Sequence, residues 1–232
     1  MADFNTHIFG AAAVMSIGAT AATKLLSLNI TEAITLMLVG MIGGVLPDID
    51  LPQSKPSKAL FTVLGVIAGL MWMFASMSRY TGLELWLGTI GIALLSRFLL
   101  AEVFARLTTH RGAFHSLISA LMAGVVSCTV AWQYINASAL QSWLTGLFMT
   151  SGYLIHLTLD EIYSVNFAGA RLKRSFGSAL KPIDMRQRRS SVVIVLITLV
   201  AAYWCAPYSL AAEQLLQQYS DWRSALIPGW LL

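Results

Sequence analysis

Seven apolar stretches divide this chain, each close to the length a bilayer demands. A helix crossing about 30 Å of hydrocarbon needs about 20 predominantly apolar residues. The stretches cover 8–27, 32–50, 59–77, 82–100, 114–135, 139–160 and 191–209. Of the 232 residues, 57% are hydrophobic and only 11% charged, where a soluble domain carries about 25% charged residues. The expected fold is therefore all-α: a polytopic helical membrane protein of about seven transmembrane helices, one domain over 1–232. The first stretch is rich in Ala, Gly and Thr, which suits close packing between helices. No Lys or Arg precedes its apolar centre and Asp3 does, so it reads as a retained first helix rather than a signal peptide. The tail 210–232 is too polar to span. Trp222 and Trp230 suit an interfacial segment.

Charge placement sets an expected orientation. Lys55 and Lys58 lie after the second stretch, and Arg97, Arg106 and Arg111 after the fourth. The loop 161–190 after the sixth holds Arg171, Lys173, Arg174, Lys181, Arg186, Arg188 and Arg189. The alternate connections carry only Arg79. Twelve of the fifteen basic residues thus share one side, which the positive-inside rule assigns to the cytoplasm. An odd number of spans then puts the N-terminus inside and the C-terminus outside. Cys128 and Cys205 both fall in apolar runs. They offer neither a zinc spacing nor a disulfide framework.

The polar residues that interrupt the apolar pattern gather at the same face. His7 precedes the first stretch. Asp48 and Asp50 end the second in the segment GGVLPDIDLPQS. His110 and His115 flank the start of the fifth, and His156 and Asp160 end the sixth. Ionisable groups at membrane depth are costly and mark functional sites. His156 and Asp160 are one turn apart on a single helix face. Pro47 and Pro52 disfavour a regular helix around Asp48 and Asp50, so a turn aiming both carboxylates at one ion is expected. In THRGAFHS, Gly112 lets the chain turn, making His110 a loop ligand and His115 a first-turn ligand. Imidazoles with carboxylates suit zinc, manganese or iron. The set is large enough for one ion with supporting groups, or for two ions. Metal-bound water is acidified towards neutrality, and that chemistry is hydrolysis. Next along the chain, RLKRSFGSALK over 171–181 is a basic loop with Gly177 and the hydroxyls Ser175 and Ser178. Cations and backbone N–H groups around a glycine can hold a phosphate.

The ordered motifs THIFGAA, LPDID, HRGAFHS and GYLIHLTLDE, followed by RLKRSFGSALK, resemble the YdjM family over about residues 5–181. Those are bacterial inner-membrane proteins described as LexA-regulated, membrane-bound, metal-dependent hydrolases. The resemblance implies an inner-membrane helical protein with a metal-binding constellation, and in that membrane the C-terminus, placed outside by the charge pattern, would face the periplasm. On matching positions it implicates His7, Asp48, Asp50, His110, His115, His156 and Asp160 in metal binding. The chain departs from the family pattern after Asp160. It reads DEIYS, which adds Glu161 as a further ligand or base and shifts the hydroxyl to Ser164.

The resulting expectation is a metal-dependent hydrolase acting at the cytoplasmic face on a phosphate-containing lipid or other amphiphile, with no nucleic-acid partner. Asp50, Glu161 or His110 would serve as general base. Arg171, Lys173, Arg174 and Ser175 would hold the anionic group. The alternative is a metal- or proton-coupled transporter, or a non-enzymatic metal-binding membrane protein. Transport sites usually lie near the bilayer midplane, whereas here only Glu32 and Glu84 lie near the opposite rim.

Overall fold

The computed structural model describes residues 3–50, 54–107, 112–166, 171–172, 177 and 180–219. The described residues are overwhelmingly helical: α1 (Phe4–Leu26), α2 (Ile30–Gly43), α3 (Lys55–Ser76), α4 (Gly82–Leu94), α5 (Ala101–Leu107), α6 (Leu117–Gln133), α7 (Ala139–Ile162), α8 (Arg188–Trp204) and α9 (Tyr208–Tyr219). A short 3₁₀ helix covers Leu46–Asp50 and a π-helical turn joins α4 to α5 over Leu95–Leu100. Among the described residues the one extended feature is a two-residue antiparallel pairing of β1 (Val165–Asn166) with β2 (Arg171–Leu172).

The helical class agrees with the sequence, but the count of seven spans does not. Among the described residues, three helical segments are long and apolar enough to cross a membrane: Phe4–Leu26, Ser57–Ser76 and Gly82–Phe104. A fourth arises only if Met185–Trp204 and Tyr208–Gln218, bent by 63° at a short break, count as one span. At 1.5 Å per residue, the 14 residues of α2 cover about 21 Å and the 17 of α6 about 25 Å, short of the hydrocarbon thickness. α2 stops at Gly43, well before the expected end at residue 50, because Gly43, Gly44 and Pro47 turn the chain. The 24-residue α7 is long enough but too polar. Trp222 and Trp230 of the tail lie outside the described residues.

The chain forms two compact units, Met1–Pro47 with His115–Leu232, and Asp48–Phe114. In the second unit α3 and α4 pack as a hairpin in which glycines permit close approach. A Cβ on Gly69 would sit 2.7 Å from the Thr89 carbonyl oxygen. The Thr89 hydroxyl donates to the Gly69 carbonyl at 3.2 Å, and the Ser96 hydroxyl donates to the Phe61 carbonyl at 2.9 Å. Phe61, Phe104 and Phe114 pack as a run of tilted rings.

The first unit is built around α7, which packs against α1, α2, α6 and α9. Helix starts are well specified. Asn29 with Glu32, and Ser138 with Gln141, form reciprocal capping boxes at α2 and α7, and Asp3 caps α1 through the Thr6 N–H. Small residues then let the helices touch. A Cβ on Gly152 of α7 would collide with the Gly40 carbonyl oxygen of α2, one on Gly43 with the Met149 carbonyl, and one on Gly44 with the Cβ of Ala11 in α1. α6 and α7 approach through Gly124 and Gly146 in the same way. α1 buries one face, the stripe His7, Ala11, Met15 and Ala19, at the i, i+4 spacing of a helix. Its small residues do pack between helices, as the composition suggests.

Candidate metal centre

The close contact of α1, α2 and α7 brings four chemistry-bearing side chains of the first unit together. His7 comes from the first turns of α1, where Asp3 fixes the helix start and the His7 N–H donates to the Asp3 carbonyl at 3.1 Å. His156 and Asp160 come from one face of α7, one turn apart. His115 precedes Ser116, the residue that opens α6, so it is a turn residue rather than a first-turn helical residue. The N–H groups of Leu117 and Ile118 donate to the carbonyls of Lys181 and Pro182 at 2.9 and 3.1 Å. The segment after the basic loop therefore holds the start of α6, and with it His115.

His7 is 1% exposed, and His115, His156 and Asp160 are 0% exposed. Nε2 of His7 is 3.4 Å from Oδ1 of Asp160, and Nε2 of His115 is 3.8 Å from Oδ2 of the same carboxylate. The His7 and His156 rings stack, centroids 3.6 Å apart and planes within 10°. The His115 ring stands edge-on to His156 at 5.7 Å. His156 Nδ1 lies 2.8 Å from the Gly44 carbonyl oxygen. A carbonyl can only accept, so Nδ1 carries the hydrogen, and in the neutral ring the lone pair is on Nε2. A backbone carbonyl orienting a histidine in this way is the usual support for a metal ligand. A Cβ added at Gly44 would collide with the Cβ of Ala11 in α1.

His7, His156 and Asp160 each place a ligating atom within 4.8 Å of the others, all buried. Nδ1 of His7 has no hydrogen-bond partner among the described residues. A fully buried carboxylate needs a compensating cation or hydrogen bonds, and two stacked imidazoles beside it supply nitrogen donors suited to a divalent transition metal. The residues present fit such an ion.

Glu161 is buried beside Asp160, but its carboxylate accepts the Gly177 N–H, which ties the end of α7 to the basic loop. Gly177 has φ +79°, a conformation that favours glycine. Asp48 is the first residue of the second unit and is buried. Its carbonyl accepts the Ser54 hydroxyl at 2.7 Å. Asp50 ends the 3₁₀ helix, in keeping with the expected turn, and its side chain lies outside the described residues. So do His110, Lys173, Arg174, Ser175 and Ser178. The Arg171 backbone pairs with Asn166, and its side chain is likewise outside the described set. Sequence reasoning missed Gly44. Its signal was the small-residue run of Gly40 and Gly43 in α2 and Gly44 just after it, matched by Gly146 and Gly152 in α7.

These features define a helical membrane protein with a buried His/Asp group that can hold a metal ion. The chain belongs to the YdjM inner membrane protein family, whose model matches residues 1–216. No curated protein and no solved structure matches it.

Proposed function

We propose that this protein is a metal-dependent hydrolase of the bacterial inner membrane, with its site at the cytoplasmic face. The observation that carries the reading is the His7, His115, His156 and Asp160 cluster, buried without exception and oriented by the Gly44 carbonyl. His7, His156 and Asp160 are the protein ligands, and zinc, manganese or iron is the ion. Three protein ligands leave a position for water, as catalytic sites require. When bound, the ion supplies a nucleophilic hydroxide near neutral pH.

The chain's own residues do the rest. His115, beside Asp160, holds or receives the proton released from the attacking water. The Gly44 carbonyl keeps the His156 Nδ1 hydrogen in place and the ring fixed. The burial of the cluster excludes bulk water. The Glu161 to Gly177 hydrogen bond anchors the basic loop at the end of α7. Arg171, Lys173, Arg174 and Ser175 of that loop are the proposed anion holders, which favours a phosphate-containing lipid or another anionic amphiphile as substrate. Asp48 is a further donor that the sequence pattern nominates.

The test is metal content by plasma mass spectrometry on detergent-purified protein, beside His156→Ala and His115→Ala/His156→Ala proteins. One equivalent of metal in the wild type, lost in His156→Ala, with phosphoester release from phospholipid micelles only in the loaded wild type, is the expected result. A well-folded wild type that takes up no metal on reconstitution overturns the metal centre. Full metal occupancy with no hydrolysis of phosphoester, ester or amide amphiphiles overturns the enzyme and leaves a metal-binding membrane protein.

A further inference from the structure

Most basic residues of the segment 161–190 fall into two runs along the chain. One lies in the loop over 171–174. The other is Arg186, in the turn before α8, with Arg188 and Arg189, the first two residues of α8, and no carboxylate of a described residue pairs with any of the three. The nearby acid, Asp184, is already committed. Its Oδ2 accepts from Lys181 Nζ at 2.8 Å and its Oδ1 from the Arg186 N–H at 3.0 Å. The Ser191 hydroxyl donates to its carbonyl at 2.8 Å. The turn before α8 is thus internally satisfied, and the three arginines are exposed with no described carboxylate against them.

Directly below these charges the surface is hollow and apolar. A groove of about 500 Å³ is lined by Ile183, Met185, Arg188, Val192, Val195 and Leu196, with Ser191 and the Lys181-paired Asp184 at its polar end. Leu196 also lines a second, separate groove of about 600 Å³ between α6 and α8, whose lining includes Tyr134 and Trp204. Helical rise puts Leu196 about 12 Å below Arg188 and Trp204 about 24 Å below it. One leaflet is about half of a 30 Å hydrocarbon core. The first groove therefore spans most of a leaflet from a cationic rim. The aromatic end falls near the opposite interface, where Trp and Tyr concentrate.

We propose that the α8 groove is a binding site for one anionic phospholipid, with the headgroup phosphate on Arg188 and its arginine neighbours and an acyl chain along Val192, Val195 and Leu196. Charge complementarity selects this occupant. An uncharged lipid leaves the arginines unanswered, and a soluble phosphate leaves the apolar floor unfilled. The site lies outside the His/Asp cluster and does not rest on the hydrolase reading. It adjoins Lys181 and Pro182, whose carbonyls hold the start of α6 beside His115, so an occupied groove steadies the segment on which the His115 turn rests.

The experiment is native mass spectrometry of the full chain released from nanodiscs of equimolar phosphatidylglycerol and phosphatidylcholine. Retention of one phosphatidylglycerol in preference to phosphatidylcholine is expected, weakened about fivefold by Arg188→Gln, the effect of one arginine at an anionic surface. Arg188→Lys should keep the preference. Val195→Trp, which fills the groove and leaves the arginines intact, should abolish retention, with thermal melts verifying that each variant is folded. Equal retention of both lipids, a preference untouched by Arg188→Gln and Val195→Trp, or displacement by glycerol phosphate without acyl chains would overturn the proposal. A lipid-free dimer that Val195→Trp dissociates would overturn it too, by assigning the groove to a second copy of the chain.

Discussion

At the scale of single residues, the informative groups are those whose partners fix their chemistry. His156 is defined by one hydrogen bond to a carbonyl, which decides the ring nitrogen left to bind an ion. His7 lies 149 positions away in sequence and is brought onto the same ring by stacking. His7→Ala should therefore weaken metal binding by at least about tenfold, the lower range for losing a metal-site partner, as read by competition with a chromophoric chelator. Affinity within twofold of wild type would remove His7 from the ligand set. Asp184 gives a pH-dependent expectation. Burial pushes its carboxyl up, but the hydrogen bond from Lys181 and that from the Arg186 N–H outweigh it, and the group titrates below its ordinary 3.8. A carboxyl depressed in the folded state stabilises above its unfolded value, and that contribution is lost as pH falls through the folded value. Asp184→Asn should thus lower stability by about 0.5–1 kcal/mol at pH 6. The difference from wild type should shrink as the pH is taken below about 4. Thermal melts across that range are the measurement, and a difference that stays constant to pH 3 would contradict the assignment.

At the scale of elements, glycine spacing controls how near α2 and α7 can lie. Gly152→Ala puts a methyl group onto the Gly40 carbonyl oxygen, and backbone cannot yield as a side chain can. The expected loss is about 1–3 kcal/mol, seen as a lower melting temperature in detergent together with reduced metal content. Gly91→Ala in α4 meets nothing within 4 Å and should instead stabilise by up to about 1 kcal/mol. Equal effects from the two substitutions would show that close approach is not what the glycine at 152 provides. The caps are a separate device. Ser138→Ala removes one half of the α7 capping box and should cost about 1 kcal/mol without changing metal affinity.

At the scale of the molecule, the α3 and α4 hairpin has a bare turn at one end, with Arg79 its only cation, while Lys55, Lys58, Arg97 and Arg106 lie towards the other. The positive-inside rule then predicts opposite exposure for two engineered thiols. Ser78→Cys should react with an impermeant maleimide from outside intact cells. Met185→Cys, in the basic segment before α8, should react only after the membrane is opened. Labelling of both from the same side would refute the proposed orientation.

The sequence by itself determined that the chain is helical and apolar enough for a membrane. Hydropathy and charge are sums over local composition, and no fold is needed to read them. It also named His7, His115, His156 and Asp160, because ionisable residues in an apolar context are conspicuous one at a time. Periodicity placed His156 and Asp160 on one helix face. Only the tertiary structure decided which segments are long enough to span, since Gly43 and Pro47 end α2 early and α7 spends its length on buried polar contacts. Only it showed Gly44 as the group that orients His156. A carbonyl's role depends on what another helix brings within 3 Å of it, and no property of the glycine itself encodes that.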